Sequence, residues 1–247
     1  MPAEVDIVIP VFNEGATIRQ VLNSLKEIAH PTRVLICYDQ DTDNTLEALR
    51  DYDASPLDVA LVKNPGRGAF GAIAAGLAVS DAPFVVTYPA DDDYNGPRVN
   101  TLVQLGHQGH DLVSASRFMP GGTMEGCPWL KALLVRTAAW FMCHVVGVPT
   151  HDATNGLRLF SRRVIDRVPI ESREGFAYSI ELLVKVHRLG WPIAETPFLW
   201  RERRTGNSRF RVLAWLPAYL VWVRYGLATR VLGRGPRSVG LRGESEL

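Results

Sequence analysis

Hydrophobic residues along the first half of the chain alternate between short continuous runs and stretches with helical spacing. The continuous runs predict five strands, at residues 5–11, 33–38, 59–62, 84–88 and 111–116. The stretches between the runs predict four helices, at residues 18–28, 45–50, 69–79 and 97–106. This alternation is typical of an α/β fold. It predicts a mostly parallel central sheet with helices on both faces.

Polar loops follow the first four predicted strands, within residues 12–15, 39–45, 63–68 and 89–97. In a parallel sheet, ligands bind at the carboxyl ends of the strands, where such loops meet. We therefore expect these loops to form one binding site at a single edge of the sheet.

Three adjacent acids, Asp91, Asp92 and Asp93, follow the fourth predicted strand. Carboxylates this close repel one another unless a cation lies among them. Carboxylate oxygens suit Mg²⁺ or Mn²⁺, which proteins often share with a substrate phosphate. The turn predicts a divalent metal site, with an ordinary solvated acidic turn as the alternative.

The second half carries two long apolar helices, predicted at residues 129–148 and 211–232. The later helix combines Trp and Tyr residues with flanking arginines, which is typical of an amphipathic helix in the lipid interface. Its uninterrupted apolar run, residues 212–223, is shorter than the ~20 residues of a membrane span, and Pro217 would kink the helix. For both helices the alternative is that they pack in the core of the protein. For the later helix, a full membrane span that begins near Val212 is a second alternative. The polar, glycine-rich residues 233–247 predict a disordered tail.

Composition narrows the class of protein. The 247 residues include 47% hydrophobic residues, enough for a full core, and 27 basic against 26 acidic residues give a net charge of +1. That balance argues against a nucleic-acid binder. Three cysteines without a CxxC pair indicate a reducing compartment and neither a disulfide framework nor a zinc site. The first residues lack the pattern of a signal peptide.

Six segments, in their order and spacing, resemble the inverting family-2 glycosyltransferases with the GT-A fold. They are IVIPVFNEGATI (7–18), YDQDTDNT (38–45), the glycine-rich helix and acidic strand (64–93), SASRF (114–118), HDATNGLRLFSRRVI (151–165) and GFAYSIELLVKVHRLGWPIAETP (175–197). Within that family the segments resemble polyprenyl-phosphate glycosyltransferases such as dolichol-phosphate mannose synthases. It implies a GT-A domain over 1–211, followed by an interface helix at 212–232 and the tail at 233–247.

The chain departs from the family pattern at two places. Pro89 stands where the family carries the first acid of its Asp-x-Asp motif, whereas Asp91 matches the second acid and Asp93 lies two residues further on. In the nucleotide loop Tyr38 replaces the first acid and Asp39 keeps the second.

The resemblance implies inverting, metal-dependent transfer of a sugar from a GDP- or UDP-sugar to a polyprenyl phosphate, at the cytoplasmic face of a membrane. Asp91 and Asp93 would hold Mg²⁺ or Mn²⁺, and Arg117 and Arg203 would complete the catalytic set. Substrate contacts are expected from a larger set of residues. They are Pro10, Val11, Asn13, Glu14, Asp39, Arg67, Asp92, Asp152, Asn155, Arg158, Glu181, Ser208 and Arg209.

Within this set, Arg117 and Arg158 would bind the acceptor phosphate, because the guanidinium fork matches phosphate oxygens. The loop of Arg203, Ser208 and Arg209 would close over the diphosphate. Two rival functions stay open. One is transfer to a glycan or small hydroxyl acceptor, with Asp152 or Glu181 as base. The other is a non-catalytic sugar-nucleotide-binding or membrane scaffold protein, which the missing acid at Pro89 favours. The sugar, the base and the oligomeric state are not specified.

Overall fold

The structure, a computed structural model, describes residues 2–201 and 212–243, with side chains in the second range described from residue 216 onward. Three residues of the predicted site, Arg203, Ser208 and Arg209, lie outside the described residues.

A seven-stranded sheet forms the centre of the fold, and two further strands form a small separate sheet. The strands are β1 (Val5–Pro10), β2 (Thr32–Tyr38), β3 (Asp58–Lys63), β4 (Phe84–Thr87), β5 (Leu112–Ser116), β6 (Thr123–Glu125), β7 (Arg158–Ser161), β8 (Ile193–Pro197) and β9 (Leu199–Arg201). The order in the large sheet is β3-β2-β1-β4-β7-β5-β8, with β7 antiparallel to both neighbours and the other pairs parallel. The predicted mostly parallel sheet is confirmed.

Helices connect the strands and cover both faces of the sheet. They are α1 (Ile18–Leu25), α2 (Asn44–Leu49), α3 (Gly68–Val79), α4 (Arg98–His107), α5 (Trp129–Trp140), α6 (Arg162–Arg167), α7 (Ala177–Leu189) and α8 (Val212–Val231). Alternate residues of β1 point to opposite faces: Val8 joins a core with α3 and α7, whereas Ile7 and Ile9 join a core with α1 and α4. This two-faced arrangement is the predicted α/β fold.

Helix α3 lies unusually close to the sheet, which explains its small residues. A Cβ atom at Gly76 would lie 2.5 Å from Val8 Cγ1 and 2.7 Å from Cys37 Sγ. A larger residue would therefore push α3 away from β1 and β2. The loop before α3 belongs to the predicted site. The close packing of α3 on the sheet therefore also positions that loop.

The C-terminal helix α8 has one packed side and one open side. Trp222 is buried and its indole N–H donates to Ser172 Oγ at 2.7 Å, while a Cβ at Gly226 would lie 2.4 Å from Val146 Cγ1. Leu216, Leu220 and Val221 are exposed. The helix thus combines core packing with an unpartnered apolar side.

The predicted disorder of residues 233–247 is wrong over the described part, which ends at residue 243. Val239 is 5% exposed, and the Arg242 backbone N–H donates to the Arg167 carbonyl at 2.9 Å. A short 3₁₀ turn, Pro236–Ser238, lies between α8 and this contact. The segment packs against the domain because its apolar residues Val239 and Leu241 join the core cluster of α6 and α7.

Helix α5 is exposed over most of its surface and continues as a π-helical segment, Phe141–Val146. Its large exposed side chains are Trp129, Leu130, Leu133, Leu134 and Trp140. Among the described residues, 129–146 is the helical stretch that is long and apolar enough to cross a membrane by length and composition. The apolar face of α5 has no covering element within the described part of the chain.

Candidate active site

The loops after β1 and β2 are joined by hydrogen bonds at the carboxyl edge of the sheet. The Asn13 backbone, in the left-handed region at φ 56°, donates its N–H to both Asp43 carboxylate oxygens at 3.1 and 3.0 Å. The Glu14 N–H donates to Thr45 Oγ1 at 2.9 Å. Asp43 also caps α2 by accepting from the Thr45 N–H at 2.9 Å. One buried carboxylate thus begins α2 and fixes the loop of Asn13 and Glu14.

Pro10 and Val11 place this loop at the end of β1. The Val11 N–H donates to the Cys37 carbonyl at 2.9 Å, which extends the pairing of β1 with β2 by one residue. The Val11 side chain is buried in the core. If Val11 contacts substrate as predicted, its backbone would make the contact.

Asp39 organises the next part of the edge. Its Oδ1 accepts from Asn64 Nδ2 at 2.7 Å and its Oδ2 accepts from the Gly68 N–H at 2.7 Å. These bonds hold the loop that presents the exposed Arg67 at the start of α3. Each carboxylate oxygen has a second acceptor position, so Asp39 can also accept from a ligand donor.

The acidic turn after β4 separates its three carboxylates. Asp92 is 4% exposed and accepts from Asn95 Nδ2 at 2.8 Å and from the Asn95 N–H at 3.0 Å. Burial raises the pKa of Asp92 to about 6, against these hydrogen bonds, and the nearby charge of Asp91 adds to the increase. The predicted substrate contact of Asp92 is therefore wrong, because its side chain points inward and holds the turn.

Asp91 and Asp93, by contrast, remain accessible: Asp91 is partly exposed and Asp93 is exposed. Thr17 Oγ1 donates to the Ala90 carbonyl at 3.2 Å and so connects the acidic turn to the beginning of α1. Two accessible carboxylates fit a hard cation such as Mg²⁺ or Mn²⁺, which keeps its other positions for water and phosphate oxygens. The donor set therefore fits the predicted metal, even though Pro89 replaces one acid.

Arg117 is fixed by a buried carboxylate at the end of β5. Its Nε donates to Asp152 Oδ2 at 2.6 Å and its Nη2 donates to Asp152 Oδ1 at 2.9 Å and to Thr154 Oγ1 at 2.6 Å. The Asp152 side chain is fully buried, whereas that of Arg117 is 11% exposed. Burial acts to raise the pKa of Asp152, but the charge and hydrogen bonds of Arg117 outweigh it and lower the pKa. Contrary to its predicted contact with substrate, the Asp152 carboxylate is buried against Arg117 and Thr154.

Arg158 is also buried, contrary to its predicted contact with phosphate. It donates to Ser114 Oγ at 3.2 Å, to the Ala153 carbonyl at 2.7 Å and to the Ser179 carbonyl. Burial lowers the pKa of Arg158 to about 10, although the charge of Asp152 opposes the change. Arg158 lies on β7 and its side chain therefore connects that strand to β5, to α7 and to the loop before β7.

Glu181 is fully buried within α7, contrary to its prediction as a substrate-binding residue or base. It accepts from Lys185 Nζ at 2.7 Å and from the backbone N–H groups of Glu171 at 2.6 Å and Ser172 at 2.8 Å. This set satisfies the carboxylate inside the protein. Glu181 therefore anchors the segment before α7.

Within the described part of the chain, Asn155 has a hydrogen-bond donor without a partner, in contrast to the buried Asp152, Arg158 and Glu181. Its Oδ1 accepts from the Leu157 N–H at 3.0 Å, whereas its buried Nδ2 has no acceptor among the described residues. A buried donor without a partner costs free energy, so this amide is suited to a ligand oxygen.

Arg117 lies next to the apolar helix α5. Two guanidinium groups lie close to the ring of Phe118, with Arg117 Cζ 5.2 Å and Arg136 Cζ 5.1 Å from its centroid. Arg136 belongs to α5, and Lys131 of the same helix lies 5.0 Å from the Trp200 ring of β9. A fixed cation, Arg117, therefore lies close to a helix with an exposed apolar face.

Comparison with known proteins assigns the domain. The family model described as Glycosyl transferase family 2 matches residues 6–168, well over half of the chain. The chain belongs to glycosyl transferase family 2.

Curated relatives of this glycosyltransferase include a polyprenol monophosphomannose synthase from Mycolicibacterium smegmatis. It is 27% identical over 213 residues, which cover 82% of this chain and 79% of the relative. A dolichyl-phosphate hexose transferase from Haloferax volcanii is 29% identical over 197 residues, which cover 80% of this chain and 82% of the relative.

Among solved structures, the glycosyltransferase is similar to glucosyl-3-phosphoglycerate synthase from Mycobacterium tuberculosis in complex with uridine diphosphate. The TM-score is 0.66 at 21% identity, with 92% of this chain and 80% of the other covered. A second structure of that synthase, with Mn²⁺, uridine diphosphate and glucosyl-3-phosphoglycerate, has a TM-score of 0.63 at 22% identity, with 92% of this chain and 80% of the other covered. These similarities show the GT-A fold.

Sequence reasoning missed the residues that support the site of this glycosyltransferase. Asp43 and Asn64 hold the loops that present Asn13 and Asp39, and both side chains are buried. Asp43 stands two residues before Thr45, at a helix-capping position, and Asn64 precedes Pro-Gly, which favours a turn. Those signals predict local turns, but the long-range hydrogen bonds appear only in the folded chain.

Proposed function

We propose that this family-2 glycosyltransferase moves a hexosyl group from a nucleoside diphosphate sugar, GDP- or UDP-linked, to a polyprenyl phosphate at a membrane surface. The observation that carries the proposal is the position of Arg117 beside the exposed apolar helix α5. An acceptor with a phosphate head and a hydrocarbon tail needs both features together. The names of the relatives from Mycolicibacterium smegmatis and Haloferax volcanii are consistent with this acceptor class.

The donor would bind across the loops after β1 to β4. Asp39 accepts a hydrogen bond from the base, and Arg67 contributes a positive charge at the start of α3. Asp91 and Asp93 would hold Mg²⁺ or Mn²⁺, which when bound neutralises the diphosphate and favours its departure. Asp92, from its buried position, keeps the turn in the conformation that presents its two neighbours.

The acceptor phosphate would bind to Arg117, with the Nδ2 of Asn155 as a further donor. Asp152 prevents Arg117 from changing its rotamer, because it holds two guanidinium nitrogens and the backbone N–H. A guanidinium fixed in this way loses little conformational entropy when a phosphate binds.

Inversion would follow from one in-line displacement. A phosphate oxygen of the acceptor forms a bond to the anomeric carbon while the bond from that carbon to the diphosphate oxygen breaks. The electron pair leaves with the nucleoside diphosphate. The acceptor is already anionic at neutral pH, so no proton has to be removed.

Burial of Asp152 and Glu181 weakens the alternative of a hydroxyl acceptor. A hydroxyl group needs a base within hydrogen-bonding reach. Asp152 is ion-paired with a lowered pKa, and Glu181 is surrounded by backbone donors and Lys185. Neither carboxylate reaches an acceptor, which favours a phosphate that needs no base.

The open sides of α5 and α8 would lie in the lipid interface. The exposed residues of α5 are large and apolar or aromatic, as in helices that lie parallel to a membrane surface. Insertion of this face would place Arg117 near the head groups at the cytoplasmic side, where a polyprenyl phosphate presents its charge.

The test is a panel of radiolabelled nucleotide sugars with polyprenyl phosphate in lipid vesicles, scored for label extracted into organic solvent. We expect one sugar nucleotide to give label in the organic phase with the purified full chain and Mn²⁺. Label that appears only on water-soluble acceptors, such as phosphoglycerate, would overturn the lipid acceptor. Absence of transfer to any acceptor, with tight binding of the sugar nucleotides, would support the non-catalytic alternative.

A further inference from the structure

Three metal-ligating side chains meet at the end of the sheet opposite to the candidate active site. Glu4 directly precedes β1, His30 lies between α1 and β2, and His107 is the last residue of α4. Glu4 Oε2 lies 3.1 Å from His30 Nδ1, and Glu4 Oε1 is hydrogen-bonded to His107 Nε2. One ligand atom from each of the three residues lies within 4.8 Å of the others. The carboxylate thus joins two imidazole rings that are far apart in the sequence.

The backbone around Glu4 is fixed on both sides. Its N–H donates to the Pro31 carbonyl at 2.8 Å, next to His30, and its carbonyl accepts from the Phe84 N–H at 3.3 Å. The ring of Phe84 in turn meets the His107 ring edge-on, with centroids 5.0 Å apart. Glu4 therefore cannot move independently of the segments that carry the two histidines.

Asn100 joins the two histidine segments to each other. Its Oδ1 accepts from the Ala29 N–H at 2.8 Å, and its Nδ2 donates to the Glu27 carbonyl at 3.2 Å. These bonds hold the α1–β2 connection against α4. The three ligands are thus arranged before any ion binds, which reduces the ordering cost of binding.

We propose that Glu4, His30 and His107 form a binding site for a divalent transition ion of the zinc class. Two imidazole nitrogens and one carboxylate oxygen form a common protein ligand set for zinc, with water in the fourth position. Ligand atoms in a tetrahedral zinc site lie roughly 3.4 Å apart, so the side chains need to move by only about 1 Å. The ion would take the place of the two imidazole–carboxylate contacts of Glu4.

Charge and access agree with this assignment. His107 ends α4, where the helix dipole favours a positive charge. The side chain of His107 is 54% exposed and that of His30 is 24% exposed, which gives an ion a path from solvent. The site would bind the ion from the surface without any opening of the core.

The ion would stabilise the fold and leave sugar transfer unchanged. Six residues of β1 separate Glu4 from the loop of the candidate active site, a distance of about 20 Å at roughly 3.3 Å per residue. A bound ion would join β1, the α1–β2 connection and α4. Because it binds the folded chain, it raises the free energy of unfolding by mass action.

The experiment titrates the chelator-treated full chain with ZnCl₂ by calorimetry in excess Mg²⁺, which occupies sites made only of oxygen ligands. The variants are His30→Gln and His107→Gln. The matched control is His151→Gln, which breaks a single histidine–carboxylate pair, with Glu195, elsewhere on the surface.

We expect the wild type and the control to bind one zinc ion and to gain thermal stability with it. Each of the two variants should lose affinity by at least about tenfold, because the ligand set is reduced to two. Sugar transfer, assayed with Mg²⁺ or Mn²⁺, should be unchanged in both variants. Equal zinc affinity in the wild type and both variants, or no zinc binding by the wild type, would overturn the proposal.

Discussion

The buried ion pair of Asp152 and Arg117 supports one quantitative prediction, for Asp152→Asn. The carboxylate accepts from the Arg117 N–H, Nε and Nη2 and from the Thr154 N–H and Oγ1, at 2.6 to 3.2 Å. An asparagine keeps the Oδ1 position, but its amide nitrogen would face the Arg117 N–H and Nε, which are both donors. Two hydrogen bonds and the charge pairing are lost together.

Breaking a buried pair costs about 3–5 kcal/mol. Because the Oδ1 hydrogen bonds are retained, we expect Asp152→Asn to lose about 3 kcal/mol of the free energy of unfolding. For a chain of this size, each kcal/mol lowers the Tm by roughly 2–4 °C, so we expect a loss of about 6–12 °C. Urea unfolding of both proteins at pH 7 gives the free-energy difference directly.

The pH dependence has a definite sign. The folded-state pKa of Asp152 is lowered, so its stabilising effect is complete above the unfolded-state pKa of about 3.9. The effect is lost as the pH falls through the folded-state value. The difference between wild type and variant should therefore be constant near neutral pH and shrink below about pH 4.

Asp166→Asn is the matched control, because Asp166 pairs with Arg162 on the surface of α6 and is 59% exposed. Its cost should stay below about 0.5 kcal/mol. Unfolding of Asp152→Asn at the same urea concentration as this control would show that the buried pair does not stabilise the fold. With a folded variant, the acceptor KM should also rise, because Arg117 loses the group that fixes its rotamer.

Two further predictions concern the exposed apolar face of α5 and the packing of α3. The double variant Leu133→Gln/Leu134→Gln should keep the wild-type Tm but bind neutral lipid vesicles about tenfold more weakly, because two exposed apolar side chains of α5 are lost. Leu61→Gln, which changes an exposed leucine on β3, is its control in the same sedimentation assay, and equal vesicle binding by all three proteins would argue against α5 as the lipid contact. Gly76→Ala should lower the free energy of unfolding by about 1–3 kcal/mol despite the better helix propensity of alanine, because the new Cβ meets Val8 and Cys37. Urea unfolding measures this change, and a variant as stable as the wild type would show that α3 can shift.

The sequence predicts the first half of the fold well because each strand and helix there carries its own pattern of apolar residues, whereas β8, which pairs in parallel with β5, was not predicted. The five predicted strands in the first half all form, with bounds within one or two residues of those observed. Strand β7 was not predicted, because four residues beginning with a buried arginine give no alternating pattern. The pair β6 and β9 has only three residues per strand and depends on contacts across the chain.

In the candidate active site, the sequence does not show which charged side chains are buried and which are accessible. The sequence locates the acidic turn, but adjacent acids look alike until the fold places Asp92 inside and leaves Asp91 and Asp93 accessible. Arg158 and Glu181 are charged residues that sequence reasoning assigns to ligands. The fold surrounds them with carbonyl groups, backbone N–H groups and Lys185, which satisfy their hydrogen bonds internally.

In the proposed function, Asp91 and Asp93 would together hold the divalent ion that sugar transfer requires. The most direct measurement is the initial rate of label transfer to polyprenyl phosphate as a function of Mn²⁺ concentration, for the wild type and for Asp91→Asn, with circular dichroism to show that both are folded. We expect a wild-type rate that rises with Mn²⁺ and vanishes with a chelator, and a variant rate near background. A folded Asp91→Asn protein with the wild-type rate and the wild-type Mn²⁺ dependence would contradict the proposal.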